Sequence, residues 1–259
     1  MNVAIARIAL SVFCLIGAAW PAQAQRAMND EQIFMQAKRV ARGELVEVFQ
    51  HGVDIEATKF LRLAEDAYQG IEKVTGLKFD TATLGPRLQI IVSASVPVSH
   101  VWRADRHQQE PRGILILNAF AYRGAIKANN ATYIHGMTQL FTWQYSSHTL
   151  HEGLADWVAL EVLPGAAVGP NPNGHDPKTV VTPDIADYLA TSKAPPVWLD
   201  IDAGRRTAYY FASYRFVKYL IDTKGFATFM QLYNSPKPEA SFAKLYDTKR
   251  EAAIRAARL

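Results

Sequence analysis

The spacing of apolar residues first divides the chain into helical and extended segments. Residues 29–50 are predicted to form a helix, because Asn29 and Gln32 have the spacing of an N-terminal capping box. Residues 54–74 are predicted to form a second helix that ends at Gly76. Its apolar positions recur at intervals of three and four: Ala64, Ala67, Tyr68, Ile71 and Val74.

Two later runs have the composition of β-strands. They read RLQIIVS at residues 87–93 and GILILN at Gly113–Asn118, and both are rich in large aliphatic residues between Gly, Pro and Asn. They predict a sheet on which the helix at residues 54–74 packs.

The segment at residues 129–145 returns to helical spacing, with Asn130 as the expected cap. Its buried face is predicted to contain Ile134, Met137, Leu140 and Phe141. A separate polar face of the same helix contains His135, Thr138, Gln139 and Thr142. This helix therefore combines a buried apolar face with a polar face whose side chains could bind a metal or a ligand.

The rest of the chain is predicted to be helical on either side of a long loop. Another helix is expected at residues 151–162, and residues 164–196 hold seven of the 13 prolines. A loop of that length in a compact domain usually lines a site or moves. Helices are expected again from Arg205 to the C-terminal region.

The first residues have the features of a secretory signal peptide. Arg7 precedes an apolar run over residues 8–19, and Ala22 and Ala24 fit the small-x-small pattern of a cleavage site after residue 24. A retained membrane anchor is the alternative, but the run is shorter than the roughly 20 residues of a span. We expect export to the periplasm or outside the cell, with no stable membrane insertion after cleavage.

Composition and charge then exclude some classes of protein. The chain is 49% hydrophobic and 20% charged, which suits one globular domain. Loss of residues 1–24 would lower the formal charge from +4 to +3, and the scattered basic residues do not form the dense stripe of a nucleic-acid surface. Cys14, the only cysteine, lies in the signal segment, so the mature chain has no disulfide and no cysteine-ligated metal.

One histidine and one glutamate have the sequence positions of two ligands in a known type of zinc site. A helix with His-x-x-x-His on one face offers two imidazoles to one zinc, and a Glu after the first His can activate the bound water. A later Glu supplies the third ligand. His135 and Glu152 could be the first and third ligands, but Gly136 and Gln139 occupy the positions of the base and of the second His.

With these motifs the chain resembles the gluzincin superfamily of peptidase MA-like zinc metallopeptidases. YIHGMTQLFTW resembles the HExxH helix, with HGMTQ as its degenerate motif, and HEGLADWVA resembles the helix of the third ligand. AYYFASYRFVKYLIDTKGFATFMQLY resembles the tyrosine-containing helix pair that follows. The likeness extends loosely over residues 55–246 and is most specific around Glu152.

The resemblance implies an architecture and roles for further residues. It implies an α+β domain over residues 25–259 with a small mixed sheet, whose edge strand Gly113–Asn118 lies beside the zincin-like active-site helix. Within it, residues 25–162 form a helix and sheet lobe, residues 163–204 a proline-rich loop, and residues 205–259 a mainly α-helical lobe. Asp156 would orient the His135 imidazole from the second shell of the metal.

The resemblance also implies a catalytic tyrosine. In such peptidases a tyrosine stabilises the tetrahedral intermediate, and Tyr209 and Tyr210 lie at that place in the chain. Adjacent helical residues point about 100° apart, so one of the two should face the cleft. Alternatively, both are core aromatics.

The departures from the family motif leave the chemistry open. Without a side chain at Gly136 there is no general base, an effect typically worth 10²–10⁴ in rate. His148, His151 or His175 could rescue the metal site as a third ligand, or could be exposed loop histidines. Glu152 could instead close a capping box with Thr149.

Three functions follow from these alternatives. The first expectation is a secreted, non-catalytic pseudopeptidase that needs no cofactor and binds a peptide or an envelope protein in the old cleft. The second is a zinc-dependent peptidase or hydrolase with a rearranged metal site. The third is a structural or assembly protein of the envelope that keeps only the scaffold.

Overall fold

The computed structural model describes residues 29–103, 112–168, 179–191 and 202–257. In these ranges the chain is a mixed α+β structure with one five-stranded mixed sheet and ten helices, which confirms the α+β class and the mixed sheet. The predicted signal peptide and His175 lie outside the described residues. None of the described helices is both long enough and apolar enough to span a bilayer.

The N-terminal region differs from its prediction as one long helix. Helix α1 spans only Asp30–Gln36, although the predicted capping box between Asn29 and Gln32 is confirmed. The chain then forms an antiparallel hairpin of β1 (Lys38–Arg42) and β2 (Val46–His51). Alternate Val46 and Val48 side chains enter the core from β2, because a strand points successive residues to opposite faces.

The sheet has the strand order β1-β2-β3-β5-β4. Strand β3 spans Leu88–Ser93 and β5 spans Gly113–Asn118, so both predicted strands are confirmed. Strands β2, β3 and β5 are mutually parallel, whereas β1 and β4 are antiparallel to their neighbours. The prediction that Gly113–Asn118 forms the edge is wrong, because β4 (His100–Arg103) pairs with its outer side.

Three helices pack on one face of this sheet: α2 (Ala57–Thr75), α4 (Ala119–Ile126) and α5 (Thr132–Phe141). The short α3 (Thr81–Leu84) precedes β3, and α6 (His148–Val162) packs on α2 and α5. Helix α2 ends, as predicted, at Gly76, which takes the left-handed φ of 70° that favours glycine. The N-cap of α5 is Ala131 rather than Asn130, whose side chain instead accepts a hydrogen bond from the Thr132 amide.

The opposite face of the sheet is covered by α1. Ile33 packs there against Ile91, Ile114 and Ile116, all fully buried, while Leu115 and Leu117 of β5 enter the main core. Strands β3 and β5 are buried on both faces as a result, which explains their almost continuously apolar sequences.

The C-terminal part is helical, as predicted. Helix α7 (Pro183–Thr191) interrupts the proline-rich segment that was predicted to be a loop. It is followed by α8 (Ala203–Tyr233), α9 (Pro238–Tyr246) and α10 (Arg250–Ala256). Helix α8 packs closely on α6, since a Cβ at Gly153 would lie 2.3 Å from the carbonyl oxygen of Ser213.

Candidate functional site

Helices α5 and α6 bring His135 between two carboxylates. The His135 Nδ1 atom lies 2.6 Å from Asp156 Oδ1, and its Nε2 atom lies 3.2 Å from Glu152 Oε2. Both ring nitrogens donate, so the imidazole is a cation held by two anions. The predicted association of His135, Glu152 and Asp156 is therefore present in the fold.

Burial and charge act in opposite directions on this cluster. Burial alone would lower the pKa of His135, but Asp156 and Glu152 outweigh it and raise the pKa to about 10. Burial would raise the pKa of Glu152, but the hydrogen bonds from His135 and His148 outweigh it and hold the pKa far below its usual value. His135 stays protonated and Glu152 stays ionised at neutral pH.

The carboxylate of Glu152 is surrounded by donors. The Gln139 side-chain amide donates to both Glu152 oxygens, each at 3.1 Å. His148 Nε2 lies 3.2 Å from Oε1, on the other side from His135. The capping-box alternative for Glu152 is wrong, because α6 begins at His148 and the carboxylate bonds to side chains of the cleft.

The place of a general base is filled by the sheet. A Cβ added at Gly136 would lie 2.4 Å from Leu115 Cδ1 and 3.1 Å from Leu115 Cδ2. Leu115 is 1% exposed and packs in the main core, so it has little room to move aside. The glycine therefore allows α5 to lie directly on β5, and the close contact leaves no path for a longer side chain.

The two tyrosines of α8 have different surroundings. Tyr209 is fully buried, and its hydroxyl lies 2.9 Å from His148 Nδ1 and 3.2 Å from Thr149 Oγ1. Tyr210 lines the cleft, with its ring centroid 6.0 Å from that of His135. Burial first, then Glu152 and Asp156, raise the pKa of Tyr210 well above its usual value, so it remains a hydrogen-bond donor.

His151 is held by a buried hydroxyl and by a stacked ring. The Tyr233 hydroxyl donates its one proton to the carbonyl oxygen of Thr142 at 2.8 Å, so its oxygen accepts from His151 Nδ1 at 2.8 Å. Tyr145 stacks flat on the ring at 3.9 Å and 11°. Burial lowers the pKa of His151 to about 3, and the ring is neutral with its proton on Nδ1.

These side chains line two adjoining cavities beside β4. The first, which we name the aromatic cavity, has a volume of about 470 Å³ and lies between β4 and helices α5 and α6. Its walls include Trp102, Arg103, Trp143, Tyr145, His151 and Tyr210. Arg103 lies over the Trp143 ring, 4.3 Å from its centroid.

The second, which we name the apolar cavity, has a volume of about 260 Å³. Its walls include Pro97, Val98, Phe120, Ala121, Asn130 and Arg206. Val98 and Phe120 are 40% and 60% exposed, which is high for large apolar side chains. Ser99, His135 and Tyr210 line both cavities, so the two form one cleft along the edge of the sheet.

Sequence reasoning located part of this site and missed the rest. The prediction of a cleft beside the helix of His135 is correct, but its wall is formed mainly by β4, whereas the predicted strand β5 contributes only Asn118. The alternative that His148 and His151 are exposed loop histidines is wrong, because both are buried in α6, at 7% and 5% exposure. Trp102, Trp143 and Tyr145 were missed, and a cluster of aromatics close to the motif was the available signal.

The arrangement does not fit a tightly held zinc ion. Among the described residues, no group of three or more His, Cys, Asp or Glu side chains has metal-binding geometry. Gln139 places an amide nitrogen, which is not a zinc ligand, against Glu152. Asp156 does fit the orienting role expected of it, since it bonds to His135 Nδ1.

No family model matches this chain, and no curated protein is significantly similar to it in sequence.

Proposed function

We propose that this protein is an exported, non-catalytic relative of the gluzincin peptidases that binds extended peptides or a segment of an envelope protein in the cleft beside β4. The proposal rests on the likeness of the two motif helices and on the relative positions of residues 135, 139 and 152. These are the three ligand positions in the peptidases that the chain resembles, and here their side chains converge within hydrogen-bonding distance.

The observation that carries the non-catalytic part is the closed set of hydrogen bonds around Glu152. Gln139, His135 and His148 all donate to its two oxygens, so the carboxylate is satisfied without a metal. Leu115 fills the space next to Gly136, where a base would project. The peptidases that the chain resembles need a base after the first histidine and a second imidazole, and Gly136 and Gln139 occupy those two positions here.

The peptide-binding part follows from the position of β4. It is the outermost strand on its side of the described sheet, and an edge strand can hold an extended peptide through main-chain hydrogen bonds. Every second side chain of a strand points to the same side, so two such side chains of the peptide would enter the two adjoining cavities, which share Ser99, His135 and Tyr210. Binding of this kind needs no metal.

A second candidate function is a zinc-dependent hydrolase with a rearranged site. The observation that favours it is His148 Nε2, which lies 3.2 Å from Glu152 and could replace the missing second imidazole. His135 and Glu152 would be the other ligands. The arrangement would require His148 Nε2 to give up its proton and its hydrogen bond to Glu152, with Nδ1 still bonded to Tyr209, and would require the Gln139 amide to turn away.

Zinc content separates the two candidates. We expect the purified protein to contain well below one zinc per chain by elemental analysis, and His135→Ala and Glu152→Gln to leave that content unchanged. Stoichiometric zinc in the wild type, lost in both variants and accompanied by peptide hydrolysis, would establish the hydrolase instead.

Restoring the missing zinc ligand tests whether residues 135, 139 and 152 occupy the ligand positions of the peptidases. Gln139→His creates the i, i+4 histidine pair next to Glu152, so we expect it to raise zinc occupancy. Adding Gly136→Glu should restore a base only when Leu115→Ala makes room for it. A Gln139→His variant that binds no more zinc than the wild type would contradict the proposed likeness of the motif helix.

A further inference from the structure

We propose that the aromatic cavity is a specificity pocket for a tyrosine or tryptophan side chain of the bound peptide, with His151 Nε2 as the acceptor for its O–H or N–H group. The inference rests on the proposed function, since it names the peptides that the cleft selects. It is carried by the hydrogen bonds of His151 and by the walls of the cavity.

The tautomer of His151 is fixed by geometry. A carbonyl oxygen cannot donate, so the Tyr233 hydroxyl must donate to Thr142 and must accept from His151 Nδ1. The proton of the neutral ring is therefore on Nδ1, and Nε2 carries the lone pair. No hydrogen bond to Nε2 is present among the described residues.

The ring also has little freedom to turn. Its Nδ1 edge is held by Tyr233, which is 2% exposed, and one face is covered by the Tyr145 ring. His151 lines the aromatic cavity, and its Nδ1 atom is taken by Tyr233, so Nε2 is the ring nitrogen left for a ligand there. An acceptor that is held in place before binding favours a ligand with a donor at one position.

The walls of the cavity limit the ligand that can supply this donor. Trp102, Trp143, Tyr145 and Tyr210 offer flat apolar surface, and a volume of about 470 Å³ is large enough for one aromatic side chain. A lysine or arginine side chain would meet the positive guanidinium of Arg103. The Glu152 carboxylate, which also lines the cavity, is already bonded to Gln139, His135 and His148. A neutral aromatic side chain with a donor group fits the acceptor at His151 Nε2, the flat apolar walls and the positive charge of Arg103.

Phenylalanine has the same shape as tyrosine but cannot donate. A pocket built to hydrogen-bond a hydroxyl rejects the analogue that lacks it, because the buried acceptor is left unsatisfied. The comparison of tyrosine with phenylalanine therefore tests the acceptor separately from the fit of the ring.

The test uses blocked alanine-rich hexapeptides with one central Tyr, Trp, Phe or Leu, titrated by calorimetry against the purified protein. We expect the Tyr and Trp peptides to bind about tenfold more tightly than the Phe peptide. In His151→Leu the Tyr and Phe peptides should bind equally well. Trp143→Ala, the matched control, should weaken both peptides and keep their ratio.

A second variant covers the case in which His151→Leu fails to fold. Tyr233→Phe keeps the ring of residue 233 but removes the acceptor for His151 Nδ1, so the tautomer is free to change and the preference for Tyr over Phe should fall. Equal binding of the Tyr and Phe peptides by the wild type would overturn the pocket and leave peptide binding intact. If none of the four peptides binds, both the proposed function and the pocket are overturned.

Discussion

At the scale of single residues, Gly136 decides what the cleft can do. It lies where α5 comes closest to the sheet, and Leu115 occupies the space that any side chain at this position would need. The same contact that packs the helix on β5 removes the place of a general base. Under the proposed function, the close packing of α5 on β5 and the missing base therefore have one cause.

Gly136→Ala tests that contact. Alanine favours a helix interior by roughly 1 kcal/mol over glycine, but overpacking a core typically costs about 1–3 kcal/mol. We expect the variant to have a lower free energy of unfolding, measured by urea denaturation. Gly204→Ala is the matched control, because its Cβ would meet only Asp202 Oδ1 at 3.5 Å, and it should not destabilise. A Gly136→Ala variant that equals the wild type in stability would contradict the contact.

The buried histidines predict how stability depends on pH. The pKa of His135 rises from 6.5 to about 10 on folding, so its contribution is complete below pH 6.5 and is lost as the pH rises through 10. The pKa of His151 falls from 6.5 to about 3, so the unfolded chain gains a proton, and the fold loses stability, as the pH drops below 6.5. These two groups together place the maximum near pH 6.5.

Thermal unfolding between pH 4.5 and pH 10 measures this profile. His135→Gln should flatten the alkaline side of the curve, and His151→Gln should flatten the part between pH 6.5 and pH 4.5. If the wild type gained stability from pH 7 to pH 10, or if His135→Gln left the alkaline side unchanged, the ion cluster would not be as described.

The residues of the site differ in how far they could be predicted. The resemblance to the gluzincin motifs pairs His135 with Glu152 and Asp156, and helix spacing adds that the two carboxylates share one face of α6. The surroundings of His148 and His151 could not, since their partners Tyr209 and Tyr233 are 61 and 82 residues away in the sequence. Polar side chains on a helix usually indicate a face exposed to solvent. Here the packing of α8 on α6 buries them, and the sequence of α6 alone does not show that.

At the scale of elements, α1 holds the strand that borders the cleft. His100 of β4 bonds to Asp30 of α1 at 2.9 Å, and the Phe34 ring packs against Trp102 at 5.8 Å between centroids. Strand β4 has only four residues and one neighbouring strand. Its order therefore depends on α1 as well as on its pairing with β5.

Phe34→Ala should loosen β4. We expect faster amide hydrogen exchange in β4 (His100–Arg103) and weaker peptide binding, because the ring contact with Trp102 is lost. Met35→Ala is the matched control on the same helix, since Met35 is 71% exposed and should have no effect. Equal exchange rates in the two variants would show that α1 does not support the edge strand.

The elements also show where pattern reading fails. Strands β3 and β5 were predictable because both of their faces are buried and their sequences are continuously apolar. The capping box at Asn29 is genuine, but the helix that it predicts ends at Gln36, and the hairpin of β1 and β2 follows. Strand β4 has only four residues, too few for an alternation of apolar and polar residues to be recognised in the sequence.

At the scale of the whole molecule, the sheet separates two unequal layers. Helix α1 covers one face, and the large core with α2, α5, α6 and α8 covers the other. The cleft opens where the edge strand β4 meets the α5 and α6 pair, so both a binding edge and a buried polar cluster face it. The α+β class followed from the sequence, but this meeting point depends on β4 and on α8, which are distant from the motif.

The most direct test of a peptide-binding cleft that works without a metal is one titration followed by analysis of the peptide. The Tyr-containing hexapeptide is titrated by calorimetry into the purified protein, once with a chelator and once with added zinc, and the recovered peptide is examined by mass spectrometry. We expect the same dissociation constant in both conditions and an intact peptide. Binding that requires zinc, or a peptide cleaved when zinc is present, would contradict the account.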